Sequence, residues 1–314
     1  MRVGFIGLGN IGGPSALNIL RGGHELTVHD LRRELAEPHL SFQDARKPRG
    51  ERGARWADNP REVAAASEVV FTSLPGPPEV RAVAVGEGGL IEGLAPGSTW
   101  VDLSSSSPTL IRELHARFAE RGVEVLDAPV SGGPRAAVEG TQALMVGGDE
   151  ARYEQLRPLL ELMGDKVSRV GDVGAGTIAK LVHNLIAQCS RAAAVEGLLL
   201  GVKAGLDPLV LYRVLQDGAF GQNFFLKQSL PHHILAGQFE TPRGGQGRAR
   251  KDIALATELA RDLGIPMPIA SLVEQLQIEA VRCGWSERNA SAYVQLQEAR
   301  AGVELRAEVG DLDA

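Results

Sequence analysis

The feature that most constrains the fold is a glycine pattern placed directly after an apolar run at the start of the chain. Residues 1–7 form a short apolar segment that ends in glycine, which is typical of a buried strand. The glycines have the spacing G-x-G-x-x-G, and a helical pattern comes after them. Between a strand and a helix, this glycine spacing indicates binding of a dinucleotide. The first glycine permits the tight turn, the second the approach of a pyrophosphate, and the third close packing of the helix. The predicted cofactor-binding loop comprises Gly7, Gly9, Asn10, Ile11 and Gly12.

Apolar runs alternate with helical patterns through the first half of the chain. After the opening strand, the sequence predicts strands at residues 25–29, 69–74, 99–103, 123–126 and 143–146. Helices are predicted between them, and one of these begins at Pro108 with Ser107 as its N-cap. Short apolar strands that alternate with helices indicate an α/β fold with a doubly wound, mostly parallel sheet.

The second half of the chain has a different pattern. From about residue 174 onward, helical periodicity dominates, and glycines close several of the segments. The predicted helices span residues 176–204, 208–216, 250–263, 269–282 and 287–301. We therefore predict an all-α C-terminal domain, with residues 1–172 in the first domain and 173–314 in the second. The length of 314 residues agrees with two domains.

Residues 36–61 interrupt the alternating pattern of the first half. The segment contains prolines, glycines and five basic residues: Arg46, Lys47, Arg49, Arg52 and Arg55. Such a composition is typical of an exposed connection, and we interpret the segment as a surface insertion. Contact with a cofactor phosphate or with a neighbouring subunit is the alternative interpretation.

Composition and charge exclude several functional classes. A net charge of −6 argues against a general nucleic-acid-binding protein, because such proteins need a basic face to neutralise phosphates. Cys189 and Cys283 lack the spacing of a disulfide framework, and no spacing of ligands predicts a metal site. No secretory leader and no run of 18 apolar residues is visible, so no membrane span is expected. The expected location is the cytoplasm.

Two strand ends carry further candidates for the cofactor. Asp30 ends the second strand, where a carboxylate accepts hydrogen bonds from ribose hydroxyls and repels a 2′-phosphate, so NAD is favoured. Arg32 and Arg33 follow immediately and could hold the 2′-phosphate of NADP instead. Leu74 and Pro75 end the third predicted strand and are expected to line the nicotinamide side, although termination of a strand by proline is the simpler interpretation.

Two further strand ends carry candidates for the substrate. Ser131, Gly132 and Gly133 follow the strand predicted at 123–126 and offer a hydroxyl and unobstructed backbone N–H groups. Such a turn can hold a carboxylate, and the alternative is a plain tight turn. Ser104 or Ser105 also lies at the end of a strand, where ligands gather in doubly wound sheets.

Lys180 is the candidate for proton transfer. It stands in the spacing G-x-x-x-K-x-x-x-N, and the i to i+4 separation places Lys180 and Asn184 on the same face of a helix. A lysine amine can exchange a proton near neutral pH if burial or a second positive charge lowers its pKa, and Lys251 could provide that charge. His183 is a rival proton carrier, and a solvated surface lysine is the ordinary alternative.

Together these segments resemble the β-hydroxyacid dehydrogenases, a family that includes 3-hydroxyisobutyrate dehydrogenase and tartronate semialdehyde reductase. The resemblance covers about residues 1–30 and 66–282. It rests on the motifs GFIGLGNIGGPSALNILRGGHELTVHD, VDLSSSSP, DAPVSGGPRAAVEGTQALMVGGD, G-x-x-x-K-x-x-x-N and KDIALA.

The resemblance implies a Rossmann domain and a helical domain that helps to build a homodimer or homotetramer. It implies that Lys180 is catalytic with support from Asn184, and that Lys251 lies near cofactor and substrate. It also implies that the turn at 131–133 holds the substrate carboxylate. Ser105 stands where the family usually has threonine, so the hydroxyl is retained.

The implied activity is NAD(P)-dependent interconversion of a small β-hydroxy acid with its semialdehyde or keto acid. Two alternatives remain open at this point: an NADPH-dependent aldehyde or imine reductase, and a nucleotide-binding partner module without catalysis. Relatives of both alternative kinds tend to lack the lysine, so the presence of Lys180 favours the dehydrogenase. The motifs do not identify the hydroxy acid.

Overall fold

The chain forms two compact units, Met1–Lys180 and Leu181–Ala314. The computed structural model describes residues 1–43, 53–218, 225–240 and 245–307. The predicted division at 172/173 stays a prediction.

A single sheet organises the first unit. In the described residues it has nine strands, in the order β3-β2-β1-β4-β5-β6-β8-β7, with β9 paired to β8. The strands are β1 (Arg2–Ile6), β2 (Glu25–His29), β3 (Arg55–Trp56), β4 (Val69–Thr72), β5 (Thr99–Asp102), β6 (Glu124–Asp127), β7 (Val130–Ser131), β8 (Ala143–Gly147) and β9 (Lys166–Gly171). Pairing is parallel except where β8 meets β6 and β7. The order reverses between β1 and β4, which confirms the doubly wound Rossmann fold.

Helices cover both faces of this sheet. They are α1 (Gly12–Arg21), α2 (Glu37–Leu40), α3 (Pro60–Ala65), α4 (Pro77–Val85), α5 (Leu90–Gly93), α6 (Pro108–Ala119), α7 (Gly133–Glu139) and α8 (Glu150–Leu160). Alternate residues of the central strands join opposite cores: in β4, Phe71 packs in one hydrophobic cluster, whereas Val70 packs in the other. Central strands covered on both sides must be apolar throughout, which explains the continuous apolar runs in the sequence.

The segment interpreted as an insertion is partly regular. A 3₁₀ turn (Arg33–Ala36) and α2 begin it, and β3 pairs in parallel with β2, so the interpretation as an exposed surface insertion was wrong at both ends. His39 is buried against α1, with its Nε2 2.8 Å from the carbonyl oxygen of Gly13. Residues 44–52 lie outside the described part of the chain, and four of the five basic residues lie there.

The second unit is helical, as predicted. Its elements are the greater part of α9 (Ala175–Lys203), α10 (Pro208–Asp217), a π-helical segment (Phe225–Leu235), α11 (Gln246–Asp262), α12 (Pro268–Arg282) and α13 (Val294–Ala301). The helix predicted over 287–301 is shorter, because the Asn289 side chain accepts a hydrogen bond from the Ser291 N–H at 2.8 Å and stabilises a turn instead. From the sequence, Phe220, Phe224 and Phe225 are candidates for an apolar pocket or for ordinary core packing; Phe225 is buried in a hydrophobic core, and Phe220 and Phe224 lie outside the described residues.

Helix α9 is long and apolar enough, by length and composition alone, to cross a membrane. It is the one helix in the described residues with this property, with a mean hydropathy of 1.4 over its most apolar window, of which 35% is buried. Polar residues such as Lys180, Asn184 and Arg191 interrupt α9, so it is not a continuous run of 18 apolar residues, and the expectation from the sequence is not contradicted. A helix in the core of a soluble enzyme has the same length and composition, so this property is weak support for a membrane span.

Candidate functional site

The glycine-rich loop between β1 and α1 has the packing that its sequence predicts. A Cβ on Gly7 would lie 2.3 Å from the Ser73 carbonyl oxygen, and a Cβ on Gly12 would lie 2.0 Å from that of Gly7. Neither position can therefore carry a side chain. A Cβ on Gly9 would meet nothing within 4 Å, so the protein itself does not require glycine there. The open space at Gly9 fits a bound dinucleotide, whose diphosphate needs close approach to the backbone.

Asp30 is tied to this loop. One of its carboxylate oxygens accepts a hydrogen bond from the Leu8 N–H at 2.7 Å, and the other accepts from the Arg32 N–H at 2.8 Å. These bonds fix the end of β2 against the glycine turn. Each carboxylate oxygen can accept more than one hydrogen bond, so Asp30 retains capacity for ribose hydroxyls. The guanidinium of Arg33 lies over the Trp56 ring, 5.2 Å from its centroid.

A network of buried polar groups joins the ends of β4 and β5. Asp102 Oδ1 accepts hydrogen bonds from Thr72 Oγ1 at 2.7 Å and from Ser104 Oγ at 2.6 Å. The Ser104 hydroxyl in turn accepts from the Leu74 N–H at 2.9 Å. Ser104 therefore holds the loop that carries Leu74 and Pro75. Of the two serines considered, Ser105 is the half-buried one and remains the candidate for binding ligand.

The Asp102 carboxyl group is held in an environment that disfavours its charge. It is buried, and its Oδ2 has no hydrogen-bond partner among the described residues. Burial raises the pKa of Asp102 to about 6; the hydrogen bonds from Ser104 and Thr72 oppose this, and the nearby Asp127 adds to it. Asp102 and Asp127 are register partners at the ends of β5 and β6. Sequence analysis did not identify either residue.

Asp102 should make stability depend on pH. Its pKa is about 6 in the native state and 3.8 as the ordinary value, so between these values the folded protein retains a proton that the unfolded chain has lost. Below pH 3.8, Asp102 contributes about 3 kcal/mol to the free energy of unfolding, and this contribution is lost as the pH rises through 6. Chemical denaturation from pH 4 to pH 7 should show this loss in the wild type but not in Asp102→Asn. Parallel curves for the two proteins would contradict the assignment.

The turn at residues 131–133 lies between β7 and α7. Ser131 pairs with Ala143 in a short strand, which corrects the expectation of a turn alone. Gly132 and Gly133 have φ angles of +125° and +72°, a region that side-chain-bearing residues rarely adopt. Their backbone conformation explains why glycine is needed at both positions. The assignment of this turn to a substrate carboxylate stays a prediction.

The first turn of helix α9, the helix that carries Lys180, is bonded to the last residue of β6. The Asp127 carboxylate accepts hydrogen bonds from the Gly174 N–H at 2.7 Å, the Thr177 N–H at 2.6 Å and the Thr177 hydroxyl at 2.8 Å. Burial raises the pKa of Asp127, and these hydrogen bonds act in the opposite direction. Lys180 lies one turn after Thr177 and is only 9% exposed, unlike a solvated surface lysine. Its neighbour His183 is exposed, which makes it the weaker candidate for proton transfer.

The remaining predicted residues lie in the second unit. Asn184 follows Lys180 by one turn of α9, and its side-chain N–H₂ donates to Asp252 Oδ2 at 2.9 Å. Lys251 Nζ lies 3.2 Å from Asp252 Oδ1. Asp252 therefore brings Asn184 and Lys251 together, a link that spacing along the sequence did not reveal. The described residues contain no cluster of possible metal ligands.

Comparison with known families gives two matches that together span most of the chain. Residues 2–171 match a family model described as the NAD-binding domain of 6-phosphogluconate dehydrogenase. Residues 174–297 match one described as the NAD-binding region of NADP-dependent 3-hydroxyisobutyrate dehydrogenase.

Full-length relatives and solved structures agree with these matches. The chain is 34% identical to 2-(hydroxymethyl)glutarate dehydrogenase of Eubacterium barkeri, over 97% of both chains. It is 35% identical to 2-hydroxy-3-oxopropionate reductase of Escherichia coli K12, over 97% of this chain and 100% of the reductase. The crystal structure of a 3-hydroxyisobutyrate dehydrogenase from Salmonella typhimurium is similar with a TM-score of 0.82, 29% identity, and coverage of 94% and 99% of the two chains.

Proposed function

The chain belongs to the β-hydroxyacid dehydrogenase family, and we propose that it interconverts a small β-hydroxy acid and its semialdehyde or keto acid with Lys180 as the general acid and base. NAD(P)-dependent hydride transfer is the activity of this family. The observation that carries the proposal is the burial of Lys180 on a helix anchored at the carboxyl edge of the sheet. The glycine-rich loop lies at the same edge, because β1 and β6 run parallel.

The cofactor is NAD or NADP, and the position of Asp30 supports NAD as the preferred one. When bound, the nicotinamide accepts or supplies the hydride. Gly9 and its neighbours in the loop would hold the diphosphate, and Asp30 would bind the ribose hydroxyls. Arg32 and Arg33, the latter lying over Trp56, stay the alternative residues that would hold the 2′-phosphate of NADP. Leu74, Pro75, Ser105 and Lys251 are assigned to the cofactor by prediction.

Lys180 would move the proton that accompanies the hydride. In oxidation, its neutral amine takes the proton of the substrate hydroxyl as the C–H hydrogen leaves as hydride and the carbonyl forms. In reduction, the ammonium returns that proton to the carbonyl oxygen. Enclosure of Lys180 by protein limits competition from bulk water. Asn184 would support this residue from the next turn of α9.

The turn at 131–133 would hold the carboxylate of the substrate. The Ser131 hydroxyl and the backbone N–H groups of Gly132 and Gly133 are donors, and donors of this kind hold an anion without carrying charge themselves. Such binding leaves the β-carbon of the substrate available for reaction. The family supplies the class of substrate that we propose: a small hydroxy acid whose hydroxyl lies one carbon beyond the α-position.

Ser131→Ala should weaken binding of carboxylate substrates selectively. Loss of one hydrogen bond to a charged group is expected to raise KM about tenfold with little change in kcat. Steady-state kinetics should show the increase for a β-hydroxy acid but not for its methyl ester. Ser168→Ala, at an exposed position of β9, is the matched control. An equal effect on acid and ester would remove Ser131 from the carboxylate site.

Nicotinamide absorbance tests the proposed function itself. The compounds to assay are those for which relatives are named: 2-(hydroxymethyl)glutarate, 2-hydroxy-3-oxopropionate, L-serine and 3-hydroxyisobutyrate. Each is assayed with both cofactors. We expect turnover of at least one, faster with NAD(H). Tight binding of cofactor without turnover of any compound would instead support the partner module.

A homodimer or homotetramer is proposed for the assembled enzyme. Exposed apolar side chains are concentrated on the helices of the second unit, among them Leu200 at 72%, Val214 at 63% and Ile269 at 68% exposed. Large apolar side chains exposed in this number are typical of a surface that another subunit covers. Light scattering should give at least twice 33.4 kDa, and a monomer would contradict the proposal. The cytoplasmic location stays a prediction.

A further inference from the structure

The carboxylate of Asp127 accepts three hydrogen bonds from the first turn of α9. Asp127 is fully buried, and both of its oxygens are used: Oδ1 by Gly174 and Oδ2 by the backbone and hydroxyl of Thr177. A carboxylate is an acceptor only, so it suits a position that faces three donors. The negative charge also matches the positive end of the helix.

Close backbone packing fixes the same turn from a second direction. A Cβ on Gly176 would lie 2.2 Å from the Met145 carbonyl oxygen and 2.4 Å from that of Asp127. A Cβ on Gly147 would lie 2.8 Å from the Gly176 nitrogen. The start of α9 therefore rests directly on the backbone of β6 and β8. Its distance from the sheet is set by the packing, and its rotation about its own axis is set by the bonds to Asp127.

The residue that receives two of these bonds lies one turn before Lys180. Thr177 and Lys180 are separated by three positions and share a face of the helix. A rotation or shift at Thr177 would therefore move Lys180 with it, because the helix between them is continuous. The position of the lysine amine depends on how Thr177 is held.

Asp127 also begins the segment that leads to the proposed carboxylate-binding turn. Ala128 N–H donates to the Asp102 carbonyl oxygen at 2.7 Å, and the Pro129 carbonyl oxygen accepts from the Met145 N–H at 3.1 Å. The chain from Asp127 to Ser131 is thereby fixed to β5 and β8. One residue is thus connected to both parts of the site, by its backbone to Ser131 and by its side chain to the helix of Lys180.

We propose that Asp127 is a positioning residue, whose carboxylate sets the position of Lys180 relative to the turn at 131–133. The proposal rests on the proposed role of Lys180 in proton transfer. Asp127 does not touch the substrate and does not exchange a proton in the reaction. It acts through Lys180, so its contribution should disappear when the lysine is absent.

A double-mutant cycle between Asp127 and Lys180 tests the proposal. In Asp127→Asn, the side-chain N–H₂ replaces one carboxylate oxygen. The donors of Gly174 and Thr177 at the start of α9 then lose a hydrogen-bond acceptor. A displacement of about 1 Å at a reacting group can cost about 10²-fold in rate, so we expect kcat to fall by about that factor. The Kd of NADH should change by less than about twofold.

In the Lys180→Ala background, single-turnover rates should fall by less than about threefold when Asp127→Asn is added, since effects of residues that act as a unit are not additive.

A second readout does not depend on activity. Amide hydrogen exchange of Gly174 and Thr177 should be faster in Asp127→Asn, whereas exchange in the strands should be unchanged. Asp149→Asn is the matched control: it makes the same chemical change at the N-cap of α8, where the side chain accepts from the Arg152 N–H at 2.8 Å. Asp149→Asn should leave kcat at the wild-type value.

The outcomes separate this proposal from the proposed function. An unchanged kcat in Asp127→Asn, or an equal loss in both backgrounds, would overturn the role of Asp127. Retention of activity by Lys180→Ala would overturn the proposed role of Lys180 in the reaction, on which the role of Asp127 rests. If Asp127→Asn does not fold, Thr177→Val removes only the hydroxyl bond and should lower kcat by about tenfold, again only when Lys180 is present. Full activity of a folded Thr177→Val would overturn the proposal.

Discussion

Lys180→Ala is expected to lower kcat by about 10³-fold and to leave the Kd of NADH within about twofold of wild type. The loss follows because the proton of the substrate hydroxyl then has no side chain to receive it. Cofactor affinity is retained because the glycine-rich loop and Asp30 are not altered. Stopped-flow kinetics give the rate, and fluorescence titration gives the Kd.

Two further lysine variants sharpen this result. Lys180→Arg keeps a positive charge but cannot release a proton near neutral pH, so it should be as inactive as Lys180→Ala. Lys203→Ala changes an exposed lysine in the last turn of the same helix and should have wild-type activity. Recovery of activity in Lys180→Arg would show that the residue acts by charge alone. Equal loss of turnover and NADH binding in Lys180→Ala would assign it a structural role.

Gly9→Ala should separate folding from cofactor binding. The added Cβ meets nothing within 4 Å, so the melting temperature should match that of wild type. The same Cβ occupies space where the diphosphate must approach the backbone, and we expect the Kd of NADH to rise by about 30-fold or more. Thermal unfolding and fluorescence titration measure the two effects independently.

Two glycine controls bracket this variant. Gly12→Ala places a Cβ 2.0 Å from the Gly7 carbonyl oxygen and should impair folding and binding together. Gly197→Ala adds a methyl group in open space on α9 and should affect neither. Wild-type affinity of Gly9→Ala for NADH would contradict the placement of the diphosphate at this loop.

The sequence was sufficient to predict the parts of the fold that depend on local pattern. Central strands such as β4 are buried on both faces and therefore read as apolar runs, and the glycine spacing marks the first turn. Strands β3, β7 and β9 were missed. Two of them have only two residues, and β9 (Lys166–Gly171) alternates exposed and half-buried positions, so each is recognised only by its pairing partner.

The sequence predicted the candidate site as a set of separate residues. It did not predict the side chains that hold those residues in place. Asp127 and Thr177 are 50 positions apart, and Asn184 and Asp252 are 68 apart. Spacing in the sequence reports neighbours on one helix or strand, such as Lys180 and Asn184, but not partners that the tertiary fold brings together. An aspartate at the end of a buried strand was the available signal for both Asp102 and Asp127.

Transfer of deuterium from the cofactor tests the central claim most directly. The enzyme is incubated with NADH deuterated at C4 of the nicotinamide and with 2-hydroxy-3-oxopropionate or the best semialdehyde from the activity assay. We predict that one deuterium appears on the carbinol carbon of the product with wild type, and that the rate of its appearance falls about 10³-fold in Lys180→Ala. Product without deuterium at that carbon, or equal rates of transfer in the two proteins, would contradict the account.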